Sequence, residues 1–199
     1  MHKIKTRSRV MKYTCFLLLF FMPAVIHAQS GKEGIQLIEY LIRQKQGTAR
    51  IIYIDSIGWS NYIEFVKQKL AKRKLKGVGW KKSNSIVLTK TERAYIFNQL
   101  DAYKNQVWDD SLFIHSIRIS ENDCSRYLQQ FALAKQFGRV KSGNQYWRFT
   151  TPVFIRGGSM ALIGIVYMCG GLCGEDELSF YKKTDSGWQR WVMVSGGVY

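Results

Sequence analysis

The stretch "SMALIGIVYMCGGLCGEDELSFYKKTDSGWQRWVMVS", residues 159–195, decides the fold. Its apolar run from Ala161 to Met168 reads as a long strand. "DELSFYKK" reads as its partner, "TDSG" (Thr184 to Gly187) as a turn, and "WQRWVMVS" as a further strand. Runs joined by turns this short pair as an antiparallel meander. The unbroken apolar character of Ala161 to Met168 predicts a central strand covered on both faces. Trp188 and Trp191 are an odd number of residues apart, so one faces the core and the other lies nearer solvent.

Upstream, "QYWRFTTPVFI" (145–155) is a strand interrupted near Pro152, and Gly157-Gly158 turns the chain into the Ala161 strand. Before Gln145 the texture is helical. In "GKEGIQLIEYLIRQKQG" (31–47), Ile35, Ile38, Leu41 and Ile42 recur at helical spacing. "ARIIYIDSIG" is a short strand. "SNYIEFVKQKLAKRKLKG" (60–77) reads as a second helix with Ile63, Val66 and Leu70 as its apolar stripe, ending at Gly77. Ile86 to Leu88 form a strand. Thr89-Lys90-Thr91-Glu92 is a capping box that opens a third helix, whose buried face is Ile96, Leu100 and Tyr103. "SLFIHSIRIS" alternates as a strand, and Ser120 caps a short helix that stops at Gly138. Helices first and a meander last predict an α+β fold, with the helices packed on one face of a C-terminal antiparallel β-meander. We read residues 29–199 as a single domain, helix-rich over 31–138 and β-meander over 145–199.

Residues 1–28 read as a secretory leader. "MHKIKTRSRVMK" carries five Lys or Arg and no acid, "CFLLLFFMPAVI" is the apolar core, and Ala28 suits cleavage. Both Met1 and Met11 are available as starts. Pro23 breaks the apolar run, which is shorter than the ~18 residues of a membrane span. The expected location is therefore the periplasm or the extracellular space.

The 199 residues carry 30 Lys and Arg against 14 Asp and Glu. Eight of the cations fall between Lys67 and Lys82 with no acid among them: Lys67, Lys69, Lys72, Arg73, Lys74, Lys76, Lys81 and Lys82, with Trp80 interleaved. This is the candidate contact for an anionic envelope polymer, a lipid headgroup or an acidic protein. The competing reading is a solvated face whose lysine stems cover apolar neighbours. Nucleic acid becomes a partner only if the leader reading fails.

Three cysteines follow the leader: Cys124, Cys169 and Cys173. The Cys-x-x-x-Cys spacing and the acidic sequel "GEDE" disfavour a reactive thiol pair. A three-residue Gly170-Gly171-Leu172 loop would set Cys169 opposite Cys173, within disulfide reach. Such a staple contributes roughly 2 kcal/mol in the chain-entropy model. A bridge from Cys124 to one of the pair is the rival. A zinc site from the three cysteines and His115 does not match established spacings. His115 instead shares a strand face with Phe113, Ile117 and Ile119.

No G-x-S-x-G or H-E-x-x-H occurs. The sequence therefore assigns no catalytic, cofactor-binding or metal-ligating residue. The acids Glu175, Asp176 and Glu177, and less so Asp109-Asp110, leave a glycan-directed or other hydrolase as the alternative to a binding domain.

The segments "IVLTKTERAYIFNQL", "DSLFIHSIRIS", "TPVFIRGGSMALIGIVYMCGGLCG" and "FYKKTDSGWQRW" come in an order that resembles a group of small exported proteins of Gram-negative bacteria. That group has a C-terminal β-meander and no assigned function. The likeness runs from about Ile86 to Tyr199. It implies export and the meander, and it brings no functional residue with it.

Overall fold

A computed structural model describes residues 32–44, 51–55, 60–78, 84–104, 106–108, 113, 116–124, 126, 127, 129, 145–170 and 173–198. The leader, His115, Asp109-Asp110, Trp80, Lys81 and Lys82 lie outside the described residues.

Helix α1 covers 32–44. It is followed by β1 (Ile51–Ile54), α2 (Ser60–Leu70), β2 (Lys74–Lys76), β3 (Ser85–Val87), α3 (Lys90–Ala102) and β4 (Ser116–Ile119). The chain closes with β5 (Gln145–Phe149), β6 (Val153–Ile155), β7 (Met160–Gly170), β8 (Cys173–Thr184) and β9 (Gly187–Val198). The main sheet runs β4-β1-β5-β7-β8-β9, with β6 beside β5 on the same edge of β7; β2 and β3 form a small ribbon. The fold is α+β, and β7, β8 and β9 are the expected antiparallel meander.

Two features depart from the sequence reading. Strands β4, β1 and β5 pair in parallel, so the sheet is mixed at that end. Helices also cover both faces rather than one. The β7 residues Met160 and Leu162 face α2 and α3, whereas Ala161, Ile163 and Ile165 face α1. An apolar strand without polar alternation needs cover on both sides, and the two helical layers provide it. Gly164 lets α2 approach closely, because a Cβ there would collide with the Tyr62 ring.

The second helix is shorter than expected. It stops at Leu70, and Lys74–Lys76 is a strand rather than helix. Leu75 is buried between the exposed Lys74 and Lys76 and lies opposite Ile86 of β3. Lys-Leu-Lys therefore follows a period of two, and burial of Leu75 overrides the helical tendency of the lysines. Arg93 Nη1 donates to Ala71 O at 2.6 Å and satisfies a carbonyl that the ended helix leaves open.

The cap of α3 forms as expected. The Thr89 hydroxyl accepts from Glu92 N–H at 3.0 Å, and Glu92 Oε2 accepts from Thr89 N–H at 2.8 Å. Ser120 caps the turn beginning at Glu121 by accepting from Asp123 N–H at 3.1 Å. Trp188 is buried and Trp191 exposed, as their spacing requires.

Candidate functional site

The basic stretch divides into three parts. Lys67 is withdrawn into an ion pair: it lies 3.7 Å from Glu64 and donates to Asp101 of α3. The hydrogen bond to Asp101 raises its pKa against the opposing effect of burial. Lys69 stands over the Phe65 ring, 5.1 Å from its centroid. Lys72, Arg73, Lys74 and Lys76 remain exposed on the turn and on β2, and no acidic partner is found for them among the described residues. The backbone beneath them is fixed. Leu88 N–H donates to Arg73 O at 2.9 Å, Gly77 N–H to Asn84 O at 3.0 Å, and Val78 N–H to Met193 O at 2.8 Å. The cations therefore project from a rigid ribbon and not from one helix face.

The acids at 175–177 sit within β8, as the strand reading of "DELSFYKK" expects for Asp176 and Glu177. Glu177 is buried, accepting from Tyr181 Oη at 2.6 Å and from Arg190 Nη1 at 2.8 Å. Alternation carries Asp176 to the opposite face from Glu175 and Glu177. Both oxygens of Glu177 are occupied, which fits a structural ion pair better than an acid poised for proton transfer. Burial, and then the Glu177 carboxylate, push the Tyr181 phenol far above its usual range.

At the cysteine loop the backbone register differs from the expected one. Met168 lies opposite Gly174, but Gly170 and not Cys169 lies opposite Cys173. One extra residue on β7 bulges the pair, leaving only Gly171 and Leu172 between the strands. For Cys169 and Cys173 the structure describes the backbone and not the thiols. Cys124 is a free, buried thiol packed with Ile54, Ile119 and Tyr146, and burial pushes its pKa up.

The carboxyl ends of β1 and β4 hold a polar clasp that the sequence did not signal. Asp55 is buried and accepts from Arg118 Nε and Nη2 at 3.3 and 3.2 Å and from Glu121 N–H at 3.1 Å. Arg148 grips Glu121 through two bonds of 2.7 and 2.8 Å. Strand ends of this kind often bind ligands. Here the acceptors of Asp55 are used in closing the fold.

A groove of about 620 Å³ lies between α3 and the β6–β7 hairpin. Tyr95, Gln99 and Tyr103 form one wall, and Pro152, Phe154 and Glu33 contribute to the other side. Its carboxylates are engaged: Glu92 with Arg156 at 2.8 Å and Glu33 with Lys183 at 3.2 Å. The Arg156 hydrogen bond holds the Glu92 carboxyl below its ordinary pKa. Among the described residues no group of His, Cys, Asp and Glu could hold a metal ion, and no helix is long and apolar enough to cross a membrane. No protein-family model, curated protein or solved structure matches this chain.

Proposed function

We propose that this chain is a non-catalytic binding domain of the bacterial cell envelope, exported by its own leader, and that it contacts an anionic polymer through the turn joining α2 to β2. One observation carries the reading. Lys72, Arg73, Lys74 and Lys76 are exposed together on a hydrogen-bonded ribbon, while Lys67, Arg148, Arg156 and Arg190 are held in ion pairs. On a strand, residues two apart lie roughly 6.5–7 Å from one another. Lys74 and Lys76 therefore present a regular cation spacing suited to a chain of phosphates or carboxylates. The engagement of Glu33, Glu92 and Glu177 supports binding rather than hydrolysis. The basic leader and the resemblance of Ile86 to Tyr199 to exported proteins support the location.

The test is binding of the full chain to polyphosphate over a salt series, repeated with vesicles of phosphatidylglycerol and with an acidic polypeptide. Affinity for polyphosphate should fall steeply with salt, and Lys72→Gln/Lys74→Gln/Lys76→Gln should flatten that dependence. Affinity unchanged in the triple variant removes this surface. Preference for the vesicle or the polypeptide replaces the polymer with that partner. Export is tested by the intact mass of the secreted chain, expected to begin near Gln29.

A further inference from the structure

The backbone pattern of β7 exposes a second binding edge. Thr150 N–H donates to Gly164 O at 2.9 Å, so Gly164 turns its backbone groups toward the β5–β6 side. Lys183 N–H donates to Ser159 O at 2.9 Å, so Ser159 turns its carbonyl toward β8. Alternation then directs the even residues of β7 to β6 and the odd residues to β8. In β6, Val153 lies opposite Leu162, Phe154 opposite Ala161, and Ile155 opposite Met160. Val153 and Ile155 therefore bond to β7, whereas the N–H and C=O of Phe154 point off the sheet edge. Along the neighbouring stretch of this edge, β1 pairs with β5. Beside β6, no strand among the described residues takes the corresponding place.

This edge opens into a slot. Val153 and Ile155 belong to the core under α2 and α3, and the Phe154 ring packs on the α1 side, 5.9 Å from Trp188. The start of α1 lies against Pro152, within 3.5 Å of where a Gly34 Cβ would be. The edge thus runs between two helical walls, with Tyr95, Gln99 and Tyr103 along the α3 side. We infer that the outer edge of β6 receives an extended segment of a partner polypeptide, added as a further strand between α3 and the start of α1.

Backbone groups aimed into the slot select the occupant. An extended peptide supplies an amide and a carbonyl at the spacing Phe154 presents, and its side chains fall alternately toward the two walls. Residues facing α3 meet Tyr95 and Tyr103, so apolar or aromatic side chains fit there. A small ionic ligand has no uncompensated charge to meet, because Glu33 and Glu92 are each paired with a cation. The arginine that fixes one end of the slot is held strongly. Arg156 adopts φ 56°, a left-handed conformation, and is secured by Glu92 Oε1 at 2.8 Å and Val87 O at 2.9 Å.

Selection of displayed random dodecapeptides on the immobilised full chain tests the inference, followed by titration of the selected synthetic peptides. Bound peptide should slow hydrogen exchange of the Phe154 amide by about tenfold or more. Tyr95→Ala, at an exposed position that leaves the core intact, should weaken binding by about tenfold. Lys72→Gln/Lys74→Gln/Lys76→Gln should bind the peptide unchanged, which separates this edge from the basic ribbon. The inference is overturned if no peptide is enriched, if the enriched peptides leave exchange at Phe154 unaltered, or if the Tyr95 dependence appears only with oligosaccharides.

Discussion

Replacing Tyr181 with Phe removes one hydroxyl and leaves the ring packing in place. Tyr181 is 5% exposed, and its Oη donates at 2.6 Å to Glu177 Oε1, itself on a residue 6% exposed. The other Glu177 oxygen is held by Arg190 Nη1 at 2.8 Å. The loss is therefore one short hydrogen bond to a buried carboxylate, with no cavity larger than an oxygen. Hydrogen bonds to charged groups contribute about 1.5–3 kcal/mol. Arg190 is 53% exposed at its side chain, so water reaches that end of the pair and moderates the cost. Tyr181→Phe should then lose about 2 kcal/mol, equivalent to roughly 4–8 °C in Tm for a chain of this size. Urea unfolding followed by tryptophan fluorescence measures this, with an unchanged slope showing that the denatured state is unaltered. The alkaline limb gives a second reading. The fold raises the Tyr181 pKa, so its contribution is complete below about pH 10, where the unfolded phenol is also neutral. Above that pH the unfolded chain ionises first and stability falls. The difference between wild type and Tyr181→Phe should shrink as pH rises past 10. A loss below about 0.5 kcal/mol, or a difference independent of pH in that range, would refute a charged Glu177 held by Tyr181.

Three further outcomes follow from the same geometry. Thr89→Ala should cost about 1 kcal/mol in urea unfolding through loss of the α3 cap, and Thr89→Ser should restore most of it. Glu92 has a lowered pKa, so its stabilisation is present above the unfolded carboxyl range and disappears as pH falls through its folded value; the stability gap between wild type and Glu92→Gln should close in acid titration below about pH 4. Gly164→Ala should destabilise by about 2–3 kcal/mol, because the added methyl meets Tyr62, and Gly164→Ala/Tyr62→Leu should recover part of that loss in thermal unfolding.

What the sequence made legible was local. Thr89 and Glu92 stand three residues apart before an apolar helix, and both reciprocal bonds form. The Trp188 and Trp191 alternation and the Pro152 interruption were equally readable, since each depends only on neighbours in the chain. The parallel pairing of β1 with β4 was not: Ile51 and Ser116 meet across 65 residues, and nothing in two four-residue strands specifies the partner. The helix that ends at Leu70 failed for a related reason. Lys-Leu-Lys favours helix by propensity and strand by alternation, and contact of Leu75 with Ile86 settles it. The alternation around Glu177 does carry a signal of burial. Glu177, Ser179 and Tyr181 alternate with Leu178 and Phe180, which places polar groups on one face of a strand whose neighbour in the sheet is apolar throughout. Such polar groups need partners, and Arg190 stands opposite Tyr181 on β9 to supply one. The Phe154 edge could not be read at all, because the direction of its amide depends on which residues of β7 bond toward which neighbour.

The two candidate contacts share one support. Helix α3 touches the basic ribbon at one side and walls the β6 slot at the other. Arg93, in its first turn, closes the end of α2 just before Lys72, and Leu88, two residues before the helix, bonds to Arg73. Glu92, one residue from Arg93, clamps Arg156 at the end of the slot. Asp101, in the last turn, pins Lys67 of α2. The cap at Thr89 therefore fixes the registration of both surfaces, although neither surface contains it. The two sites remain chemically separate, since one offers side-chain cations and the other offers backbone groups and aromatic rings. Loss of the Arg93 bond opens the end of α2, whereas loss of the Arg156 clamp releases both the slot and strand β3 of the ribbon, because Arg156 also donates to Val87 O at 2.9 Å. If both proposals hold, an anionic polymer and a polypeptide bind the same chain at once, with α3 as the rigid member between them.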